Sequence, residues 1–268
     1  MVTSTFLFLQ GIGPATERRF WQDGVIEWQH FLAEPKIKGL SAGRKAWYDG
    51  DLTLAQSHLD KRQLHWFTSR LPRREHWRFF DACRGRRVYL DIETTGAPPE
   101  HGDITVVGLH RNGHSSCLIQ GETLTRERLQ AEFDECDLLV TFFGSGFDIP
   151  YLSAKFPGLR FPAAHFDLCF AARRLGFTGG LKHIERKLGL RRDPALDHLD
   201  GWDAVRLWSQ WRRGDPSALE LLLAYNAADT ENLIPLAAFL HEQLLTRFGP
   251  VSIYPPSGHR VLAKACMQ

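Results

Sequence analysis

The sequence predicts an α/β protein: a mixed sheet covered by helices, preceded by a small helical domain. Three observations carry this. Residues 1–83 show helical apolar spacing, residues 84–143 alternate β-rich runs with turn signals, and residues 167–245 return to helix. A length of 268 residues suits a main domain with a smaller attached module. The expected bounds are 1–83 for the helical module, 84–248 for the main domain and 249–268 for an extended tail carrying Pro255-Pro256-Ser257-Gly258.

In the first segment Phe20, Trp21, Val25, Trp28 and Phe31 recur at helical spacing, and Leu64, Phe67, Leu71 and Trp77 do so less regularly. The character changes near Arg84. Residues 87–93 form a short run rich in β-formers, followed by a Thr/Gly/Pro loop. Residues 104–110 and 115–119 flank Arg111-Asn112-Gly113-His114, whose Asn-Gly pair is a strong hairpin signal. Residues 125–136 read as an amphipathic helix with Thr125 as N-cap. Residues 138–143 are continuously apolar, as in a strand covered on both faces. The helical region that follows is interrupted at Gly179-Gly180 and over 191–201.

Bulk composition excludes several classes. Apolar residues at 43% and charged residues at 24% are ordinary for a globular chain. Five cysteines without a C-x-x-C pair argue against a disulfide framework and a structural zinc site. No stretch approaches the roughly 20 apolar residues of a membrane span, and residues 6–9 are too short for a secretory signal. The cytoplasm is therefore the expected location, with no membrane partner and no P-loop for an ATP-driven motor. A net charge of +2 requires no polyanionic partner, but its distribution points to one. Nine Lys/Arg stand between Lys61 and Arg87 against only Glu75 and Asp81, and a second basic cluster runs from Arg173 to Arg192. Both suit a phosphate-facing surface or a solvated helical face.

The chemistry is carried by acids. Asp91 and Glu93 lie two apart on a strand, so both project from one face. Side by side at a strand end they repel, unless one merely caps the Thr94-Thr95-Gly96 turn. A divalent cation relieves the repulsion, and hard carboxylate oxygens select Mg²⁺ or Mn²⁺. Asp148 follows the next strand through Gly144-Ser145-Gly146-Phe147, glycines that permit a sharp turn and close substrate approach. It reads equally as the N-cap of a helix with Pro150 near its start. Tyr225 and Asp229 stand at i and i+4 on a helix and share a face, whereas Glu231 points elsewhere. A tyrosine is a poor base near neutral pH, but its hydroxyl can orient a water.

These residues resemble the DEDD exonuclease superfamily, most closely the bacterial YprB-like branch of ribonuclease H-like proteins. The matching motifs are Leu90-Asp91-Ile92-Glu93-Thr94-Thr95-Gly96, Phe143-Gly144-Ser145-Gly146-Phe147-Asp148-Ile149-Pro150 and Tyr225-Asn226-Ala227-Ala228-Asp229-Thr230. The run Leu181-Lys182-His183-Ile184-Glu185-Arg186-Lys187-Leu188-Gly189 also matches, and the likeness extends over residues 86–245. Tyr225 points to the tyrosine subclass, since the histidine form would need His at position 224, which is Ala. The family usually carries Asn where this chain has Phe143.

The resemblance implies a ribonuclease H-like mixed sheet flanked by helices and a two-metal-ion 3′–5′ exonuclease on DNA or RNA. Asp91, Glu93 and Asp229 would hold the first Mg²⁺ or Mn²⁺, and Asp91 and Asp148 the second, roughly 4 Å away. Tyr225 would aim the nucleophilic water at a terminal phosphate. Single strands or 3′ ends are the expected partner, DNA slightly over RNA, with Thr94, Gly144, Phe147 and Lys182 near the strand. An endonuclease on the same fold and a silent nucleic-acid-binding module remain alternatives.

In the N-terminal segment Gln10-Gly11-Ile12-Gly13-Pro14 resembles the hairpin of helix-hairpin-helix motifs. Gly11, Ile12 and Gly13 would offer backbone N–H groups to a phosphate, or else form a tight packing turn. Trp66, Phe67, Trp77, Phe79 and Phe80 read as core, with base stacking as the alternative. His110 and His114 flank the hairpin turn and are set aside as zinc ligands.

Overall fold

The computed structural model of the protein describes residues 1–250. It comprises two compact units, Met1–Ala82 together with the residues from His241 onward, and Cys83–Leu240. Helix gives way to strand after the boundary between Ala82 and Cys83, and the end of the last helix is grouped with the first unit. Most of the expected tail lies outside the described residues.

The first unit is helical: α1 (Pro14–Gln22), α2 (Trp28–Ala33), α3 (Ala42–Asp60), α4 (Leu64–Thr68) and a 3-10 segment, Arg73–Phe79. Its core is aromatic, with Phe6, Phe20 and Phe31 meeting at ring-centroid distances of 5.4–5.8 Å. Phe67, Trp77, Phe79 and Phe80 are buried in the same unit. Trp66 stacks on His58 and lies under the Arg70 guanidinium. One ionic hub sits inside. Glu17 accepts from the Thr5 hydroxyl (2.8 Å), the Phe6 N–H (2.7 Å) and Arg78 (3.0 Å). Arg78 also pairs with Glu75 at 2.9 Å, so this cation of the basic stretch belongs to a buried network rather than to the surface.

The second unit holds a five-stranded sheet in the order β3-β2-β1-β4-β5. Strands β1 (Arg87–Thr94), β2 (Ile104–Arg111) and β3 (His114–Ile119) are antiparallel, and β4 (Leu138–Thr141) and β5 (Ala164–Asp167) continue parallel from β1. The β2–β3 turn is the expected Asn112-Gly113 pair, with φ of 52° and 82°, both in the left-handed region that two-residue hairpins require. Helix α5 (Arg126–Asp134) starts at Thr125, whose hydroxyl accepts from the Arg128 N–H. Helices α6 (Asp148–Lys155), α7 (Leu168–Arg174), α8 (Leu181–Leu188), α9 (Pro194–Asp197), α10 (Gly201–Arg212) and α11 (Pro216–Phe248) follow.

Strand alternation divides the core. Val88, Leu90 and Ile92 join Leu129, Phe133 and Leu152 of α5 and α6 in one cluster. Val106 joins Ala204, Leu207 and Trp208 of α10 and Leu222 and Tyr225 of α11 in another. Asp91 and Glu93, offset by one residue from the apolar set, take the other face of β1. The apolar run after residue 138 stops being strand at Thr141, because Phe143 adopts φ 67° and turns the chain. Strand β5 was not expected: at four residues with His165 and Asp167 inside, its periodicity is too short to read.

Candidate active site

The central strand sets the site. Asp91 pairs with Gly108 across β1–β2, and Glu93 with Val106. A Cβ on Gly108 would lie 2.0 Å from Asn226 Oδ1, so only glycine there lets α11 approach the sheet. That approach brings the Asn226 amide to Asp91, where Nδ2 donates to Oδ2 at 3.0 Å. One turn along α11, Asp229 completes the cluster. Carboxylate oxygens of Asp91, Glu93 and Asp229 lie within 4.8 Å of one another.

Asp148 reaches the same cleft from the opposite side. It is the first residue of α6, and the cap position belongs to Phe147, whose ring offers no acceptor. The N-cap reading of Asp148 therefore falls away. A cleft of about 800 Å³ is lined by Asp91, Glu93, Asp148, Tyr225 and Asp229. Thr94 and Phe147 also line it. Gly144 instead turns against Thr141, its N–H donating to the Thr141 hydroxyl oxygen at 3.1 Å, and Gly146 takes the lining position.

The electrostatics are those of a site short of positive charge. Two carboxylates at 4.8 Å repel by roughly 3.5 kcal/mol at an effective dielectric near 20. Burial, then the charges of Asp229, Glu93 and Asp148, pushes the Asp91 carboxyl well up. Burial and Asp229 push Glu93 to about 8. Asp148 rises to about 7 through burial, despite backbone hydrogen bonds that oppose the shift. Burial raises the Tyr225 hydroxyl further from ionisation, so it stays a neutral donor. His-type base chemistry has no candidate among these groups.

One cation does enter. Arg192, its side chain 2% exposed, bonds Asp229 at 2.5 Å and grips Glu185 with two nitrogens at 2.6 and 2.7 Å. Burial works against its charge, and the Glu185 and Asp229 carboxylates more than offset it. In the sequence Arg192 belongs to the second basic cluster, and neither Glu185 nor Asn226 carries a role. The available signal was a lone acid, Glu185, beside Ile184 on the covered face of α8. Lys182 is drawn in too, with Nζ 4.7 Å from the centre of the Tyr225 ring and no hydrogen-bond partner in its buried position. Glu231, the set-aside neighbour, accepts from the Ser115 hydroxyl on β3 at 2.7 Å.

The donor set fits a small hard cation. Octahedral Mg²⁺ with bonds near 2.1 Å accepts ligand oxygens up to about 4.2 Å apart, so a closure of about half an ångström would suffice. Three oxygens on two rigid elements, strand and helix, with a guanidinium already neutralising one of them, mark where that charge belongs.

A family model of the RNase H superfamily matches residues 88–241, more than half of the chain. The chain belongs to the ribonuclease H superfamily. The match nearly coincides with the second compact unit, and the five-stranded mixed sheet flanked by helices is the ribonuclease H-like α/β fold expected. No curated protein matches this superfamily member. Among solved structures, the family B DNA polymerase of Pyrobaculum calidifontis is 19% identical with a TM-score of 0.47 over 59% of this chain. This chain spans 24% of that polymerase's length. NrnC of Brucella melitensis bound to pGG is 21% identical, TM-score 0.45, covering 63% of this chain and 78% of its own. The Nibbler EXO domain of Aedes aegypti is 16% identical, TM-score 0.47, covering 66% and 87%.

The N-terminal Gly11-Ile12-Gly13 turn belongs to the first unit. Gly11 has φ 80°, and the Gln10 carbonyl beside it accepts from the Tyr48 hydroxyl at 2.8 Å. Ile12 is buried, and Gly13 starts α1 at Pro14. Among the described residues ahead of it, Val2–Ser4 form a 3-10 turn. No helix among the described residues is long and apolar enough to cross a membrane.

Proposed function

We propose that this chain is a metal-dependent exonuclease of the tyrosine DEDD type, hydrolysing phosphodiester bonds of DNA or RNA from the 3′ end. The observation that carries the reading is the convergence of Asp91, Glu93 and Asp229 within 4.8 Å, with Tyr225 one helical turn from Asp229 in the same cleft. The polarity and the tyrosine subclass rest on the resemblance of the three motifs.

In this reading Asp91, Glu93 and Asp229 hold one divalent ion, and Asp148 with Asp91 a second. Bound there, Mg²⁺ or Mn²⁺ would acidify a water and neutralise phosphate charge. The chain's own groups do the rest. Asn226 fixes one Asp91 oxygen and leaves the other to the cleft. Arg192 holds Asp229 against Glu185 and so keeps its carboxylate aimed. The Tyr225 hydroxyl, neutral at working pH, orients the attacking water by a hydrogen bond. Lys182 stands against that ring, outside the residues that line the cleft, and adds positive charge near Asp229.

Cleavage of 5′-labelled single-stranded DNA and RNA oligomers, with Mg²⁺ or Mn²⁺ and with EDTA, tests the reading. A metal-dependent ladder shrinking from the 3′ end is expected, abolished by Asp91→Ala and reduced less by Tyr225→Phe. Mg²⁺-dependent activity retained in Asp91→Ala would sink the assignment. Cutting of a circular strand would replace the exonuclease with an endonuclease on the same fold.

A further inference from the structure

The cleft is rimmed by aromatic rings that no core uses. Phe143 is 41% exposed, Phe147 43% and Trp202 66%, and all three line the space that holds the carboxylates. They come from two sides. Phe143 and Phe147 bracket the turn into α6, whereas Trp202 stands at the start of α10, its ring against the Gly96 loop that leaves β1.

Each ring is held in place. The Trp202 backbone N–H donates to Asp200 at 2.8 Å, inside a reciprocal cap in which Asp203 accepts from the Asp200 N–H at 2.9 Å. Phe147 packs on Tyr151, whose hydroxyl donates to the Ala97 carbonyl at 2.9 Å. Phe143 is the most telling. It is a bulky residue at φ 67°, a conformation that glycine or asparagine adopts at far lower cost. The backbone is forced into it by Asp167, which accepts from the N–H groups of Phe143 and Ser145, both at 2.9 Å. Its ring then lies over Gly146, where a Cβ would come within 2.5 Å of Cζ. A turn that needed only to close would carry a small residue, so the ring is what the strained position supplies.

We infer that Phe143, Phe147 and Trp202 form a stacking clamp for the unpaired terminal bases of a single-stranded nucleic acid. This rests on the nuclease reading above and adds to it the selection of single strand over duplex. Flat apolar rings accept any base face without reading its edge, so the clamp is indifferent to sequence. A base held in a duplex has its faces covered by neighbours and its edge by its partner, and cannot enter between the walls without unpairing. The acids beneath the rings are then presented only with the phosphate of an end that has been peeled free.

The test uses the full chain carrying Asp91→Asn so that the oligomer survives. Binding of a single-stranded oligomer with 2-aminopurine at its 3′ end is followed by anisotropy and by quenching of the probe. Strong quenching is expected with the parent. Phe143→Asn and Trp202→Ala should each weaken binding about tenfold. An oligomer abasic at its 3′ end should bind the parent as weakly as the intact oligomer binds the variants. Phe143→Asn should keep or raise the melting temperature, which separates lost stacking from lost folding. Parent-like affinity and quenching in both variants, while the wild-type chain cleaves, would overturn the clamp and leave the nuclease. A wild-type chain that neither binds nor cleaves DNA or RNA would remove both. A dimer that disperses on Trp202→Ala, with oligomer affinity unchanged, would assign the rings to a second copy of the chain and overturn the clamp.

Discussion

Arg192 shows how one residue can decide a site that its neighbours in sequence conceal. Its side chain is almost wholly buried between Glu185 and Asp229, and buried arginines persist only when paired. Removing one partner of such a pair strands the other charges, at about 3–5 kcal/mol. Arg192→Gln is therefore expected to lower stability by about that amount in EDTA, measured by urea unfolding. Part of the loss should return with Mg²⁺, because an ion would take over the neutralisation of Asp229. Unchanged stability in EDTA would mean that water reaches the pair and that the guanidinium is not holding the carboxylate. Strand and helix periodicities put Asp91 with Glu93, and Tyr225 with Asp229, on shared faces, whereas Asp148 could be placed only through the motif resemblance. Arg192 was not legible, since nothing in a run of Arg191, Arg192 and Asp193 says which one turns inward. Phe143 stood out only against the motif, and its meaning came from a backbone angle that sequence does not display.

At the scale of elements, legibility followed length and turn chemistry. Strands β1 and β2 and the Asn112-Gly113 hairpin were readable, because eight-residue runs rich in β-formers stand out and Asn-Gly admits left-handed φ. The four-residue β5 and the short α9, set inside a polar stretch, were not. The element pair that matters most is β2 against α11, which touch through Gly108 and Asn226. Gly108→Ala must push Asn226 away, breaking its bond to Asp91 and straining the helix–sheet contact. Overpacking of this kind costs about 1–3 kcal/mol. The penalty should shrink in an Asn226→Ala background, where Thr230 Cγ2 at 3.0 Å is the close neighbour that remains. A denaturation cycle over the four proteins checks this, and strict additivity would show that the two residues do not meet.

The whole molecule registers the carboxylate cluster as a coupling between pH, metal and stability. Ordinary unfolded carboxyls titrate near pH 4. In the folded chain Glu93 is pushed to about 8 and Asp148 to about 7, and burial raises Asp91 and Asp229 in the same direction. Each folded value lies above its unfolded one, so the folded chain keeps protons that the unfolded chain has already released. Stability from these groups is present below about pH 4 and is lost as pH rises through 7 to 8, by about 1.4 kcal/mol per pH unit for each proton involved. Glu17 shifts the same way by burial, and His76 the opposite way. Neither lies in the cleft, so neither should answer to Mg²⁺, and the His76 imidazole has finished titrating below its ordinary value. Between pH 7 and 8.5 the melting temperature in EDTA is thus expected to fall. A divalent ion binds the deprotonated acids and competes with their protons, so the rise on adding Mg²⁺ should grow across the same window. Differential scanning fluorimetry with EDTA and with Mg²⁺ at each pH measures both. An increment independent of pH would mean that Arg192 alone neutralises the cluster, and that no proton leaves when metal enters.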